Sequence, residues 1–141
     1  MRFMMLMFPN EKSEQPGREM PDAKSVEQMM KYNEDLAKAG VLLSLDGLHP
    51  TSKGARITWD QAGKPVVTDG PFAESREVIG GYWILQVKSR EEAIEWARRV
   101  PAADARKVEL RQIFELTDFP ADVQKAVDNP TVRKALEKSA H

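Results

Sequence analysis

The period of the apolar positions changes along the chain, and each change predicts an element. Residues Arg2 to Phe8 run almost continuously apolar, the pattern of a strand covered on both faces. Pro9 to Pro21 is polar and broken by proline, which predicts a loop. From Asp22 to Lys38 the pattern turns helical, with Val26, Met29, Met30, Leu36 and Ala37 on one stripe and Asn33 in its middle; Gly40 follows as a stop. Val41 to Leu45 reads as a second strand leading into Asp46-Gly47-Leu48-His49-Pro50. Ala55 to Trp59 and Lys64 to Thr68 alternate and predict a hairpin joined through Gln61-Ala62-Gly63. Val78 to Val87 is rich in β-branched and aromatic residues and contains the pair Gly80-Gly81. Ser89-Arg90-Glu91-Glu92 has the form of a capping box, opening a helix whose stripe is Ala93, Ile94, Ala97 and Val100 and which Pro101 stops. Val108 to Leu116 alternates: Val108, Leu110, Gln112 and Phe114 face one way, and Glu109, Arg111, Ile113 and Glu115 the other. Beyond Pro120 the spacing is helical and polar, with a break at Asn129-Pro130.

The order β-α-β, hairpin, β-α-β predicts an α+β domain of ferredoxin-like arrangement over residues 1–119, with its helices on one sheet face and a helical tail over residues 120–141. Two helices cover one face of such a sheet. Phe3 to Phe8 and Tyr82 to Val87 are nevertheless apolar on both, so the second face calls for a further layer. A second copy supplies it most simply, and the pattern predicts a homodimer with sheets packed face to face.

Charge and composition narrow the function. A net charge of −1 provides no basic excess to neutralise phosphates, which argues against general nucleic-acid binding. The absence of cysteine excludes disulfides, thiolate zinc sites and a cysteine nucleophile, and fits a reducing cytosol. The apolar start is too short for a signal-peptide core and lacks a cleavage site, and no run approaches the roughly 18 apolar residues of a membrane span. A cytoplasmic protein without membrane contact is expected.

The densest chemistry lies in Thr68-Asp69-Gly70-Pro71-Phe72-Ala73-Glu74. Asp-Gly-Pro predicts a turn, with glycine supplying a positive φ, while Asp69, Glu74, Arg76 and Glu77 crowd one loop and Phe72 anchors it. This stretch, followed by Gly80-Gly81-Tyr82-Trp83, resembles the signature of the DGPF proteins, a branch of the YCII-related family. Tyr32-Asn33-Glu34-Asp35-Leu36, Gly47-Leu48-His49-Pro50, Lys53-Gly54-Ala55-Arg56 and Ser89 to Trp96 carry the likeness further, from Arg2 to about Phe119. The resemblance implies a dimeric α+β barrel. In the YCII branch a histidine on the first helix and an aspartate after the second are the suggested catalytic pair; Met29 and Val100 stand here instead, so that proton transfer does not carry over. One member of the wider family is a dehydrochlorinase, and DGPF genes often accompany extracytoplasmic-function sigma factors, which implies a regulatory connection.

Candidate site residues each have a plainer reading beside the functional one. His49, the one internal histidine, is either a general base oriented by Asp46 or Asp69 or the residue closing a turn before Pro50. Asp46-x-x-His49 lacks the third ligand of a catalytic zinc site, and no metal is expected. Asp69 and Glu74 serve either acid–base chemistry or the turn itself and a pairing with Arg76 or Arg56. Asn33 either bonds a loop backbone or lines a pocket. Tyr82 and Arg111 are candidate ligand contacts, or else core, interface or solvated residues. There is no GxxxxGK, GxGxxG or nucleophile elbow, so no cofactor is expected. The resulting expectation is a homodimer binding a small polar molecule in a cleft at the dimer. His49, Asp69 and Glu74 line it, Arg56 is an anion partner and Phe72 a wall, and any chemistry is cofactor-free proton transfer at His49 or Asp69. The alternative is a regulatory module contacting a sigma factor.

Overall fold

Along the chain the elements are β1 (Arg2–Pro9), α1 (Ala23–Lys38), β2 (Leu42–Gly47), β3 (Ala55–Trp59) and β4 (Pro65–Asp69). They continue with β5 (Gly81–Gln86), α2 (Arg90–Arg98), β6 (Ala105–Gln112), α3 (Ala121–Val127) and α4 (Pro130–Ser139). The computed structural model describes residues 1–10, 14–15, 17, 20–73, 77–101 and 105–139. Four strands form an antiparallel sheet in the order β2-β5-β1-β6, and β3 pairs with β4 in a separate two-stranded ribbon. This is the ferredoxin-like order, with the hairpin inserted between the two β-α-β halves.

Alternation within β1 decides the layering. Phe3 and Met5 point into the core with Trp83 and Leu85 of β5, where Tyr32 and Leu36 of α1 and Ala93 of α2 meet them. Met5, Leu36 and Leu85 are fully buried. The neighbouring positions Met4, Leu6 and Ile84 point to the other sheet face and are half-buried. Both sides of β1 and β5 are therefore apolar, while the helices serve only one of them.

Helix α1 begins where Asp22 accepts a hydrogen bond from the Ser25 backbone N–H at 2.9 Å, and ends before Gly40 at φ +72°, which only glycine adopts without strain. Its buried residues are Tyr32, Asn33 and Leu36, with Met29 half-buried. The stripe is thus rotated from the expected one: Val26 and Met30 are exposed, because the helix packs through its aromatic rather than through its full set of aliphatic positions. Tyr32 meets Trp83 edge-on at 5.9 Å and donates its hydroxyl to the Trp96 carbonyl at 2.8 Å, tying α1 to α2. Helix α2 opens with Ser89 Oγ accepting from the Glu92 N–H at 3.1 Å, while the Glu92 carboxylate reaches back to the Lys88 N–H at 2.8 Å.

Strand β6 ends at Gln112, earlier than the alternation to Leu116 predicts. Beyond it, Glu115 to Asp118 forms a short turn in which Asp118 accepts from the Glu115 N–H at 2.7 Å. Arg2 and Glu115 form a two-pronged ion pair, at 2.8 and 3.1 Å, that fastens this turn to the start of β1. Among the described residues no helix is long and apolar enough to cross a membrane.

Candidate functional site

One end of the sheet gathers the end of β1, the end of β2, the residues entering β5 and the start of α1. Close backbone approach builds this end. The Gly80 N–H donates to the Met7 carbonyl at 2.8 Å, and its own carbonyl accepts from the Leu48 N–H at 2.9 Å. A side chain on Gly80 would bring Cβ to 2.9 Å from the Pro9 ring, and one on Gly81 to 3.0 Å from the Asp46 carbonyl. The glycine pair is there for contact distance.

The Asp69-Gly70-Pro71-Phe72 loop obeys the same rule. Gly70 is not among the glycines with positive φ, so the conformational role expected for it is replaced by a steric one. Its ideal Cβ would lie 1.6 Å from the Thr51 carbonyl oxygen, and its N–H donates to the Gly54 carbonyl at 3.0 Å. Thr51 is the junction. Its hydroxyl accepts from the Phe72 N–H at 3.2 Å and donates to Glu14 at 2.6 Å, while its own N–H also donates to Glu14 at 3.2 Å. The Arg56 guanidinium stacks on the Phe72 ring at 3.9 Å.

Between α1 and the Gly47–Pro50 segment lies a cavity of about 560 Å³, within the range of small-molecule sites. Met7, Met20, Met29 and Met30 line it together with Leu48 and Ile79, so its walls are apolar and adaptable. Glu14, Asp22 and His49 supply polar edges, and among the described residues no lysine or arginine lines it. The backbone N–H and hydroxyl of Ser25 hold the Asp22 carboxyl below the usual carboxylate range, so it stays an anion at neutral pH. Among the described residues, the charged groups at the cavity are therefore carboxylates, Glu14 and Asp22.

The expected site residues that the structure describes fall in four places. His49 lines the cavity. Its imidazole is exposed and bonded to neither Asp46 nor Asp69, so the expected His–Asp orientation does not form; Asp46 instead accepts from the Tyr82 hydroxyl at 2.7 Å, which holds the phenol above its usual value. Asp69, Arg56 and Phe72 belong to the loop junction. Tyr82 and Arg111 lie on the sheet face away from the helices, where Arg111 reaches Glu109 of its own strand at 3.5 Å. Asn33 is inside the core: Trp83 donates its indole N–H to the amide oxygen at 2.8 Å, which corrects the expected loop-backbone partner. Glu74 and Arg76 lie outside the described residues.

Sequence reading missed the cavity's methionines, Glu14 and Thr51. Methionine spacing does not separate a core face from a pocket wall, and nothing local marks a threonine that three segments share.

An uncharacterised protein of Rhizobium meliloti (strain 1021) is 35% identical to this chain over 91 residues, covering 64% of this chain and 68% of that protein. Among solved structures, 5-chloro-2-hydroxyhydroquinone dehydrochlorinase of Burkholderia phenoliruptrix, in complex with 2,5-dihydroxybenzoquinone, aligns with a TM-score of 0.45 at 12% identity, covering 82% of this chain and 95% of that one. The model of the YCII-related domain matches residues 1–117, and the chain belongs to the YCII-related family.

Proposed function

We propose that this chain is a DGPF-branch member that acts as a homodimer and binds a small molecule in the cavity beneath α1. The molecule has an apolar body, matched by the methionine walls, and a neutral or cationic hydrogen-bonding edge presented to His49. The observation that carries this reading is the cavity itself: about 560 Å³, methionine-lined, edged by two carboxylates and one imidazole. Any chemistry is proton transfer at His49 without a cofactor, since an imidazole can both accept and donate a proton. Asp69, Arg56 and Phe72 then belong to the junction that supports the rim. Methyl-labelled methionine NMR tests binding, with phenol, benzylamine and benzoate as neutral, cationic and anionic probes. Saturable shifts of the Met7, Met29 and Met30 methyls with the first two and not with benzoate are expected. No saturable shift with any probe refutes the cavity as a binding site.

A second reading rests on the tail. Helix α4 buries no residue, and it exposes Val132 and Leu136 on one side, the form of a helix that docks elsewhere. In that reading the protein is a regulatory module for a sigma factor and the tail is its contact. Removal of residues 121–141 then abolishes sigma-factor capture while the domain stays folded; unchanged capture rules the tail out.

A further inference from the structure

Four of the protein's seven methionines, Met7, Met20, Met29 and Met30, line the cavity beneath α1. The chain contains no cysteine, so no thiol of its own competes with these thioethers for an oxidant. Their access to water differs. Met20 and Met30 are 78% and 58% exposed, whereas Met7 and Met29 are half-buried. Met5, on the same strand as Met7, is fully buried in the core.

Its place on α1 gives Met30 a further property. Asn33 stands three residues on, the spacing at which helical side chains meet, and its amide N–H donates to the Met30 sulfur at 3.7 Å. The other end of that amide is already held, because its oxygen accepts the Trp83 indole N–H at 2.8 Å. This bond fixes which end of Asn33 faces Met30. A thioether is a weak acceptor, so the N–H is poorly used while Met30 is reduced. A sulfoxide oxygen is a stronger acceptor, and the same donor stands ready for it.

We infer that Met30, together with Met20, is a site of reversible oxidation that switches the cavity between an apolar and a polar wall. This rests on the ligand-binding reading above and adds its regulation. The oxidant is a hydroperoxide, with hydrogen peroxide the simplest. The thioether sulfur attacks one peroxide oxygen, and an S–O bond forms as the O–O bond breaks. The departing oxygen takes up the proton of the transferred one and leaves as water. Sulfur gives up two electrons and the peroxide gains them. A polar, chiral sulfoxide then replaces a flexible apolar side chain, the change that disrupts methionine-lined surfaces. A ligand whose apolar body rests on these methionines is released. The core is spared, because Met5 does not reach water.

The test uses the full chain with labelled methionine methyls and graded hydrogen peroxide. Peptide masses read which methionines gain oxygen, circular dichroism reads the fold, and phenol titration reads the cavity before and after treatment. Met1, exposed but outside the cavity, is the internal control for oxidation as such. Met20 and Met30 are expected to gain oxygen before Met7, Met29 and Met5, with the fold kept. Phenol affinity then falls about tenfold, and methionine sulfoxide reductases restore it. Met20→Leu/Met30→Leu, compared only with itself, loses none of its own affinity under peroxide although Met1 is oxidised. Unchanged phenol affinity in protein oxidised at Met20 and Met30 overturns the switch and leaves the binding reading standing. Oxidation that reaches Met7 or Met5 first overturns it too, as does equal loss of affinity in the double variant, or loss of the folded spectrum alongside loss of binding. If the reduced protein binds no phenol, the binding reading falls and the switch falls with it. Should the double variant not fold, recovery of binding when the reductases act on oxidised wild type decides.

Discussion

Gly70 and Thr51 approach so closely that a methyl group on Gly70 would sit 1.6 Å from the Thr51 carbonyl oxygen. The obstruction is backbone, which cannot swing aside as a side chain would. Gly70→Ala therefore displaces the loop from Thr51 and costs about 1–3 kcal/mol, the usual range for overpacking. Gly47→Ala is the matched control, because its added Cβ meets nothing within 4 Å. Urea unfolding of the two variants should separate them; equal stabilities would show that the loop and the Thr51 turn move together.

Asn33 is expected to matter for stability before binding. Asn33→Ala leaves the buried Trp83 indole N–H without an acceptor, a loss of about 1–3 kcal/mol. A variant of wild-type stability in denaturant would return Asn33 to the list of ligand contacts.

His49 should behave oppositely. Its side chain is exposed, so His49→Gln changes stability by no more than about 0.5 kcal/mol. Phenol binding at the cavity should weaken by the worth of one hydrogen bond, about 0.5–1.5 kcal/mol, or up to roughly tenfold in Kd. Titration of the Met29 methyl in both proteins reads it.

The Arg2–Glu115 pair gives a pH dependence of defined sign. Hydrogen bonding to Arg2 lowers the Glu115 carboxyl below its ordinary value in the folded chain. A lowered folded pKa means that the pair's contribution is complete above the ordinary glutamate value and is lost as pH falls through the lowered one. Stability of wild type should therefore fall more steeply in acid than that of Glu115→Gln. Asp22, lowered by Ser25, adds to the same acid limb, and Asp22→Asn separates the two. Raising the salt concentration should shrink the Glu115 part, since both partners are more than a third exposed. Parallel acid limbs for wild type and Glu115→Gln would refute the assignment.

Local signals in the sequence were strong where the physics is local. Ser89 and Glu92 mark the start of α2 because capping needs only residues three apart. The ribbon's ends could be read from alternation, and the element order led to the ferredoxin-like sheet. The rotation of α1 was not legible, because Tyr32 in the core displaces Val26 and Met30, and only the positions of Trp83 on β5 and Trp96 on α2, distant in sequence, decide that. The cavity was not legible either. Met5 and Met7 differ by two residues in one strand, yet one fills the core and the other a pocket wall. Gly70 was recognised as special for a conformational reason, when the cause is an atom 19 positions away in sequence.

The hydrogen bond from the Gly70 N–H to the Gly54 carbonyl closes the ribbon at its root. Everything between those two glycines projects outward from a fastened clasp, and everything bearing on the cavity lies on the inner side of it. Residues can be added to or removed from the ribbon in hairpin pairs without moving Thr51, Glu14 or His49. The length and face of the ribbon can thereby change while the methionines that line the cavity stay as they are.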